Sequence, residues 1–100
     1  MASSEPQWHP EAIEDAEAAR DWYADRSPMA ARGFLLELQN ALSAVVEAPE
    51  RWPFGRAETR RYVFSGSYPY TLVYKVLDNG LEIVAVANQK RRPGFWLGRT

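Results

Sequence analysis

The residues best suited to chemistry stand near the end of the chain, where three adjacent cations precede two aromatic side chains. Lys90, Arg91 and Arg92 have no acid among them, and Phe95 and Trp96 follow within four residues. Guanidinium groups match phosphate and carboxylate oxygens, and adjacent cations repel one another unless an anion or an acidic partner approaches them. The cluster therefore predicts a surface that binds an anionic target.

Two earlier arginines, at the start of a predicted strand, could supply further cations to the same target. The full set of candidate target-binding or phosphate-binding residues is Arg60, Arg61, Lys90, Arg91, Arg92, Phe95 and Trp96. A structural interpretation competes with this one: Arg91 and Arg92 would be a solvated strand end, and Phe95 and Trp96 would pack back on the sheet. Taken singly, Trp96 favours the core, whereas the arginines favour a contact.

Several kinds of chemistry are excluded by composition. The chain has no cysteine, which rules out disulfides and thiolate sites, and its one histidine, His9, cannot build a multi-histidine metal site. His9 precedes Pro10, so we interpret it as a helix-entry residue. No nucleotide-binding loop, metal constellation or nucleophile–base pair is recognisable, so no cofactor is expected and no catalytic residue is assigned.

Length and charge describe one domain, residues 1–100, with two electrically different halves. Residues 1–50 carry a net charge of −7 and residues 51–100 one of +6. This asymmetry suggests that the second half meets an anionic partner, unless the two halves simply balance each other. No apolar run approaches the roughly 18–20 residues that span a bilayer, and no signal peptide is recognisable, which predicts a cytoplasmic protein without membrane contact.

The first half predicts an antiparallel pair of helices. Pro10 suits the first position of one helix, whose narrow apolar stripe is Ala12, Ala16, Ala19 and Tyr23. Ser27-Pro28 predicts the start of a second helix, and Ala48-Pro49 its end. Only three residues separate the helices, so they should pack against each other as a hairpin.

The second half predicts strands. Thr59 to Phe64, Tyr70 to Leu77 and Leu81 to Ala87 are rich in β-branched and aromatic residues, and the last is apolar on both faces, which places it centrally in a sheet. A hairpin turn is expected at Asp78-Asn79-Gly80, because Asn and Gly both tolerate positive φ. In the loop that crosses from helices to sheet, Trp52 and Phe54 are expected to pack over the core edge.

Helices followed by strands predict an α+β domain, with the helical hairpin packed on one face of a mainly antiparallel sheet of three to four strands. The polar leader, residues 1–7, is expected to be either flexible or a short edge strand. Neither a repeat nor a second domain is recognisable.

Six segments, taken in order, form a specific pattern. They are Trp8-His9-Pro10-Glu11-Ala12, Trp22-Tyr23, Phe34-Leu35-Leu36-Glu37-Leu38, Pro49-Glu50-Arg51-Trp52-Pro53, Tyr68-Pro69-Tyr70-Thr71-Leu72-Val73-Tyr74, and Val86-Ala87-Asn88 with Arg92-Pro93-Gly94-Phe95-Trp96. From Trp8 to Arg99 the chain resembles the ParE/RelE family, the toxins of bacterial type II toxin-antitoxin pairs, and its ending is more similar to ParE-like members. Many ParE-like members carry histidine where this chain has Asn88 and tyrosine where it has Phe95.

The resemblance implies one of three functions. A ParE-like toxin would bind DNA gyrase through the basic and aromatic surface, and we favour this hypothesis. A RelE-like toxin would cleave messenger RNA in the ribosome, which requires a base, an acid and cations; Tyr62, Tyr68, Tyr70 and Tyr74 are the remaining proton-transfer candidates. A non-toxic member would only bind its antitoxin. All three imply a hetero-oligomer with a protein antitoxin, a segment of which would lie between helices and sheet.

Overall fold

The computed structural model describes residues 5–100, so the first four residues of the predicted leader lie outside the described part. The elements are β1 (Gln7–Trp8), α1 (Pro10–Ala24), α2 (Pro28–Glu47), β2 (Arg60–Val63), β3 (Tyr70–Leu77) and β4 (Gly80–Asn88), with single 3-10 turns at Arg56–Glu58 and Leu97–Arg99. Among residues 5–100, no helix combines the length and the apolar composition needed to cross a membrane.

The described strands form one sheet in the order β1-β4-β3-β2. β2 pairs antiparallel with β3, and β3 antiparallel with β4. β1 pairs parallel with β4 through two residues, Gln7 opposite Glu82 and Trp8 opposite Ile83. The α+β prediction is confirmed, β4 is central, and the end of the leader forms a short edge strand.

Both helices begin at the residues that the sequence indicated. His9 caps α1, since its Nδ1 atom accepts a hydrogen bond from the Glu11 N–H at 3.1 Å. Ser27 caps α2, since its Oγ atom accepts from the Ala30 N–H at 3.3 Å. Each cap satisfies an amide that has no partner inside its helix, and each is followed by proline at the first helical position.

The main core lies between the helical hairpin and one face of the sheet. Aromatic rings occupy its centre: Phe34 of α2 packs against Tyr70 at a ring-centroid distance of 5.1 Å, and Tyr23 of α1 packs against Tyr68 at 4.9 Å. Leu72 and Ile83 add fully buried aliphatic side chains from the sheet. Offset and edge-on ring pairs of this kind stabilise a core beyond the area that they bury.

A bulge in β4 builds a second, smaller core on the opposite face of the sheet. Val73 pairs with Ala85 and Tyr74 with Ile83, which leaves Val84 as an extra residue on β4. Val84 and Ala85 therefore join Val73 in one buried cluster. The C-terminal tail covers this cluster, so the sheet is buried on both faces.

One local expectation was wrong, and the hairpin turn lies where it was expected but with a shorter loop. Phe54 does not pack over the core edge, because its side chain is 63% exposed, whereas Trp52 does pack there and donates from Nε1 to the Ala44 carbonyl at 3.3 Å. At the hairpin turn, the positive φ belongs to Gly80 (148°) and not to Asn79. Gly80 already pairs with Leu77, so the two-residue loop is Asp78-Asn79.

Candidate functional site

A groove lies between the C-terminal tail and the face of the sheet that is turned away from the helices. Its volume is about 330 Å³, and we call it the tail groove. Its floor is the second apolar cluster, and its rims are the crossing loop and the tail. The lining residues are Gly55, Arg56, Thr59, Arg61, Thr71, Val73, Ala87, Asn88, Gln89, Arg91, Arg92, Pro93, Gly94, Phe95 and Trp96.

A strained turn holds one rim of the groove. Ala57 and Glu58 both adopt positive φ, 56° and 60°, which costs an L-residue on the order of 1–2 kcal/mol. The turn closes because Thr59 donates from Oγ1 and from its N–H to the Arg56 carbonyl, at 2.7 and 3.1 Å. Thr59 is only 2% exposed, and this anchoring presents Arg56 to the groove.

The opposite rim depends on a glycine. Gly94 has a φ of 77°, and a Cβ atom added there would lie 2.7 Å from Arg56 Nη1 and 3.0 Å from Leu97 Cδ1. Glycine adopts this backbone conformation without strain and leaves room for the close approach of Arg56. The two rims therefore meet at this point.

Two arginines flank the aromatic ring of the tail. The guanidinium carbon of Arg91 lies 3.7 Å from the centroid of the Phe95 ring, and that of Arg99 lies 5.2 Å from it. Both distances fall within the range of cation–π attraction. Phe95 and Trp96 also pack against Val84 and its neighbours, so the clasp considered for the tail exists alongside the arginine contact.

Arg99 joins the tail to α1 and to the sheet. It donates from Nη1 to Asp15 Oδ2 at 2.7 Å and to the Val84 carbonyl at 2.9 Å, and its Nε lies 3.3 Å from Glu11. Hydrogen bonding to Asp15 raises the pKa of Arg99 above its usual value, despite an opposing contribution from burial. Asp15 also accepts from the Val86 N–H at 3.1 Å, so one carboxylate holds the tail and the edge of β4 together.

The electrostatics of the tail groove are one-sided. Arg56, Arg61, Arg91 and Arg92 line it, and none of the residues between 5 and 100 that line it is acidic. Within residues 5–100, the side chains of these four arginines make no hydrogen bond or ion pair with a protein group. Four guanidinium groups around one groove create a positive potential that favours an anionic ligand.

The structure brings together five of the seven predicted site residues. Arg61, Arg91, Arg92, Phe95 and Trp96 all line the tail groove. Arg60 does not: it points to the other face of β2, donates to the Glu50 and Trp52 carbonyls at 3.0 and 2.7 Å, and stacks on the Phe54 ring at 3.8 Å. Lys90 lies beside a different groove.

Arg56 is the functional candidate that sequence reasoning missed. It stands in the crossing loop, outside every predicted element, and its place in the groove depends on the left-handed turn at Ala57 and Glu58. A glycine would have indicated the left-handed turn, but neither residue of that turn is glycine. The charge of Arg56 was therefore its only signal in the sequence. Charge alone could not place the side chain.

The tyrosines that remained as proton-transfer candidates lie on the helix side of the sheet. Tyr68 donates to the Ala30 carbonyl at 2.8 Å and Tyr74 to the Pro49 carbonyl at 2.6 Å. Burial raises the pKa of Tyr74, which keeps its hydroxyl protonated. Tyr62 packs edge-on against Trp52, so none of the three reaches the tail groove.

A second groove runs between α1 and the end of β4, and we call it the helix-side groove. Its lining includes Tyr70, whose hydroxyl accepts from Asn88 Nδ2 at 3.3 Å. The lining residues are Asp15, Ala18, Ala19, Trp22, Tyr23, Pro69, Tyr70, Val86, Asn88, Lys90 and Arg91. Asn88 and Arg91 thus line both grooves.

The fold, a short edge strand and two helices followed by three further strands of one mixed sheet, is consistent with a small toxin of the RelE/ParE kind. A family model described as the ParE toxin of the type II toxin-antitoxin system parDE matches residues 7–93, and the chain belongs to this family. Among curated proteins, the chain is similar to Toxin RelE2 of Caulobacter vibrioides, at 33% identity over 84 residues, which are 84% of this chain and 93% of that protein. The resemblance seen in the sequence is confirmed, and membership implies a protein antitoxin as partner.

Proposed function

We propose that this type II toxin inhibits growth by binding DNA gyrase through the tail groove, without making or breaking covalent bonds itself. The observation that carries the proposal is the composition of the groove. It presents four arginines and two aromatic side chains, which are residue types that contribute strongly to binding energetics. In the described part of the chain, no histidine, tyrosine, lysine or carboxylate lines it.

Cleavage of RNA would ask more of the same groove. It needs a group that takes a proton from the 2′-hydroxyl and another that gives one to the leaving oxygen. Arginine stays protonated at all physiological pH values. The Thr59 hydroxyl is already engaged as a hydrogen-bond donor to the Arg56 carbonyl. Asn88 and Phe95 occupy positions where many ParE-like members have histidine and tyrosine. These features favour binding of a target over cleavage of RNA.

A second candidate function is messenger RNA cleavage in the ribosome. The name of the similar Caulobacter protein, Toxin RelE2, favours it. Its chemistry could use the same four arginines to stabilise a charged phosphorane, provided that the ribosome or the RNA supplied proton transfer. Both functions take place in the cytoplasm, and both assign the arginines to an anionic target.

One experiment with two readouts distinguishes them. Purified toxin, freed from antitoxin, is added to a gyrase supercoiling assay and to a translating extract in which messenger RNA is followed. We expect supercoiling to be inhibited and messenger RNA to remain intact. Cleaved messenger RNA would replace the proposal with the second candidate, and no effect in either assay would indicate a member that only binds its antitoxin.

The variant for both assays is Arg91→Ala with Arg92→Ala. Two cations of the tail groove are lost, so we expect inhibition to fall at least about tenfold, equivalent to about 1.4 kcal/mol of binding free energy. The matched control is Arg20→Ala with Arg32→Ala, which removes the same charge from the helical hairpin. Equal loss of inhibition in both double variants would show that net charge, and not the groove, determines activity.

A further inference from the structure

Two arginines of the tail groove lie against glycine backbone instead of against acids. A Cβ atom added to Gly55 would lie 3.4 Å from Arg61 Nη1, and one added to Gly94 would lie 2.7 Å from Arg56 Nη1. Within residues 5–100, neither guanidinium group makes a hydrogen bond or an ion pair with a protein group. Guanidinium forks without a partner match the oxygen atoms of phosphate groups. This part of the groove can therefore hold a chain of phosphates.

The ring of Trp96 is an aromatic surface that remains available in the same groove. The neighbouring Phe95 ring already has the guanidinium group of Arg91 at 3.7 Å from its centroid. In the described part of the chain, no aromatic ring or guanidinium group lies over Trp96, which is half-buried and packs on the second cluster. Aromatic side chains on the rim of a positively charged groove stack on nucleobases. Phosphate-binding and base-stacking groups thus line one groove.

The size and shape of the groove suit a single nucleotide. Its volume of about 330 Å³ lies at the lower end of the range, about 300–1,000 Å³, that holds small-molecule ligands. Arg56 bridges the two rims where it approaches Gly94. A continuous nucleic acid strand would have to pass this contact, whereas a free nucleotide can occupy the groove without breaking it. The groove therefore favours a free nucleotide over a strand.

The polar groups of the groove favour guanine over adenine. Arginine donates two hydrogen bonds to O6 and N7 of guanine, whereas the amide groups of Asn and Gln pair with N6 and N7 of adenine. Both amide atoms of Asn88 are engaged, since Nδ2 donates to the Tyr70 hydroxyl at 3.3 Å and Oδ1 accepts from the Lys90 N–H at 2.8 Å. Gln89 donates from Nε2 to the Tyr70 carbonyl at 3.3 Å. The guanidinium group of Arg92 has no such partner in the described chain, so it is available to guanine.

We propose that the tail groove binds free guanosine triphosphate, with the phosphates on Arg56 and Arg61 and the base on Arg92 and Trp96. Arginine side chains here take the role that a glycine-rich loop and a helix N-terminus have in other nucleotide sites. This inference rests on the proposed function and deepens it, because the nucleotide and the target compete for one groove. By mass action, the fraction of toxin available to its target rises as the concentration of free nucleotide falls.

The test titrates purified full-length toxin, freed from antitoxin, with GTP, and with ATP, tripolyphosphate and guanosine for comparison. Amide NMR shifts give the affinity of each probe and map its site. We expect GTP to bind at least about tenfold more tightly than ATP, because one bidentate base contact is lost, and than tripolyphosphate, because one stacked base is lost. Guanosine, without phosphates, should bind more weakly than any of them.

Two substitutions separate the base contact from the phosphate contact. Trp96→Leu should weaken GTP binding at least about tenfold and leave tripolyphosphate binding unchanged. Its matched control is Trp22→Leu, which removes a tryptophan that is 51% exposed and lies outside the tail groove. Arg61→Gln, an exposed change that spares the second cluster, should weaken GTP and tripolyphosphate by similar factors. Arg32→Gln, on the helical hairpin, should weaken neither.

Three results would overturn the proposal. Equal affinities for GTP and tripolyphosphate would show that the groove binds anions without a base. Equal affinities for GTP and ATP would show that the arginines do not read guanine. Tighter binding of a four-nucleotide single strand with one guanine than of GTP would make a nucleic acid strand, and not a free nucleotide, the ligand.

Competition with the target is measured in the supercoiling assay at constant ATP. Added GTP should relieve inhibition by the toxin and should leave supercoiling unchanged in a reaction without toxin. Inhibition that persists at saturating GTP would contradict a shared groove. The nucleotide titrations do not involve gyrase, so GTP binding without inhibition of supercoiling would reject the proposed target and keep the nucleotide site. Inhibition without GTP binding would do the reverse.

Discussion

Arg60 and Arg61 are neighbours in the chain and have different roles, because successive strand residues face opposite sides of a sheet. Arg61 turns toward the tail groove. Arg60 turns the other way, donates to two carbonyls of the crossing loop and covers the Phe54 ring. Arg61 is thus available to the proposed target, whereas Arg60 holds the crossing loop.

Substitution should separate these roles. We expect Arg60→Ala to lower the free energy of unfolding by about 1–3 kcal/mol, because two carbonyls, that of Trp52 being partly buried, lose a charged donor. We expect Arg61→Ala to leave stability within about 0.5 kcal/mol, typical of an exposed surface change, and to reduce gyrase inhibition. Urea unfolding and the supercoiling assay measure the two quantities. The reverse pattern would mean that the arginines have been assigned the wrong way round.

The left-handed turn beside Arg56 offers a change that should stabilise the protein. Glycine adopts a φ of 56° without the steric cost that Ala57 bears, although it loses more backbone entropy on folding. We expect Ala57→Gly to raise the free energy of unfolding by about 0.5–1 kcal/mol and the melting temperature by about 2–6 °C. Ala18→Gly, in the middle of α1, is the matched control and should lower both. A lower melting temperature for Ala57→Gly would contradict the strained turn.

At the scale of single residues, the sequence predicted which side chains lie close together better than which face of the sheet each side chain takes. Because Arg91, Arg92, Phe95 and Trp96 are close in the chain, the sequence was enough to place them together, and they do line one groove. Which face Arg60 would take depended on the exact register of β2, whose first residue is Arg60 itself. Register is set by pairing with β3, which local composition does not determine.

At the scale of elements, Asp15 and Arg99 hydrogen-bond the edge of β4 where a longer β1 would otherwise pair with it. Their side chains are 8% and 9% exposed, and they close the edge of β4 where β1 has already ended. Burial of such a pair gives little net stability, but loss of one partner leaves the other charge buried and unpaired. The tail and α1 therefore depend on each other.

We expect Asp15→Ala to lower the free energy of unfolding by about 3–5 kcal/mol, because Arg99 keeps only the exposed Glu11 as an acidic partner and the Val86 N–H loses its acceptor. Glu11→Ala is the matched control. Glu11 is 58% exposed and lies 3.3 Å from Arg99, so its loss should cost less than about 1 kcal/mol. Chemical denaturation of both variants measures the difference, and similar values for the two would show that the inner pair is no more important than the outer one.

Helices and strands were predictable for identifiable reasons. Ser27-Pro28 and Ala48-Pro49 bracket α2 because capping and proline chemistry are local. The bulge at Val84 was not predictable, because an uninterrupted apolar run from Ile83 to Ala87 carries no period that could show an extra residue. The second apolar cluster, and with it the floor of the tail groove, follows from that bulge.

At the scale of the whole molecule, the sheet is the middle of three layers. The helical hairpin covers one face and the tail covers the other, although the tail contains only one short 3-10 turn. The length and amphipathicity of the helices were enough to predict that the helical hairpin covers one face of the sheet. The sequence could not decide whether the tail would cover the other face, since Phe95 and Trp96 suit either a core or an exposed groove; here they pack on the second cluster and also line the tail groove.

Removal of the tail should test the outer layer. We expect a chain that ends at Arg92 to unfold at lower urea concentration and to bind the dye ANS, because Val73, Val84 and Ala85 become exposed. A chain that ends at Arg99 lacks only Thr100 and serves as the control, which should behave as the full chain does. Unchanged stability without the tail would show that its packing contributes nothing to the fold.

Because Asp15 pairs with Arg99, the native fold can be completed only after the tail has been synthesised. The two residues are separated by 84 positions, and chains are made at about 5–20 residues per second. At this rate the helices have been made for several seconds, and all the strands for about one second, before the tail that completes the basic groove is finished. A newly made chain thus has its helical side before its basic groove is complete, and an antitoxin already present would encounter the helical side first.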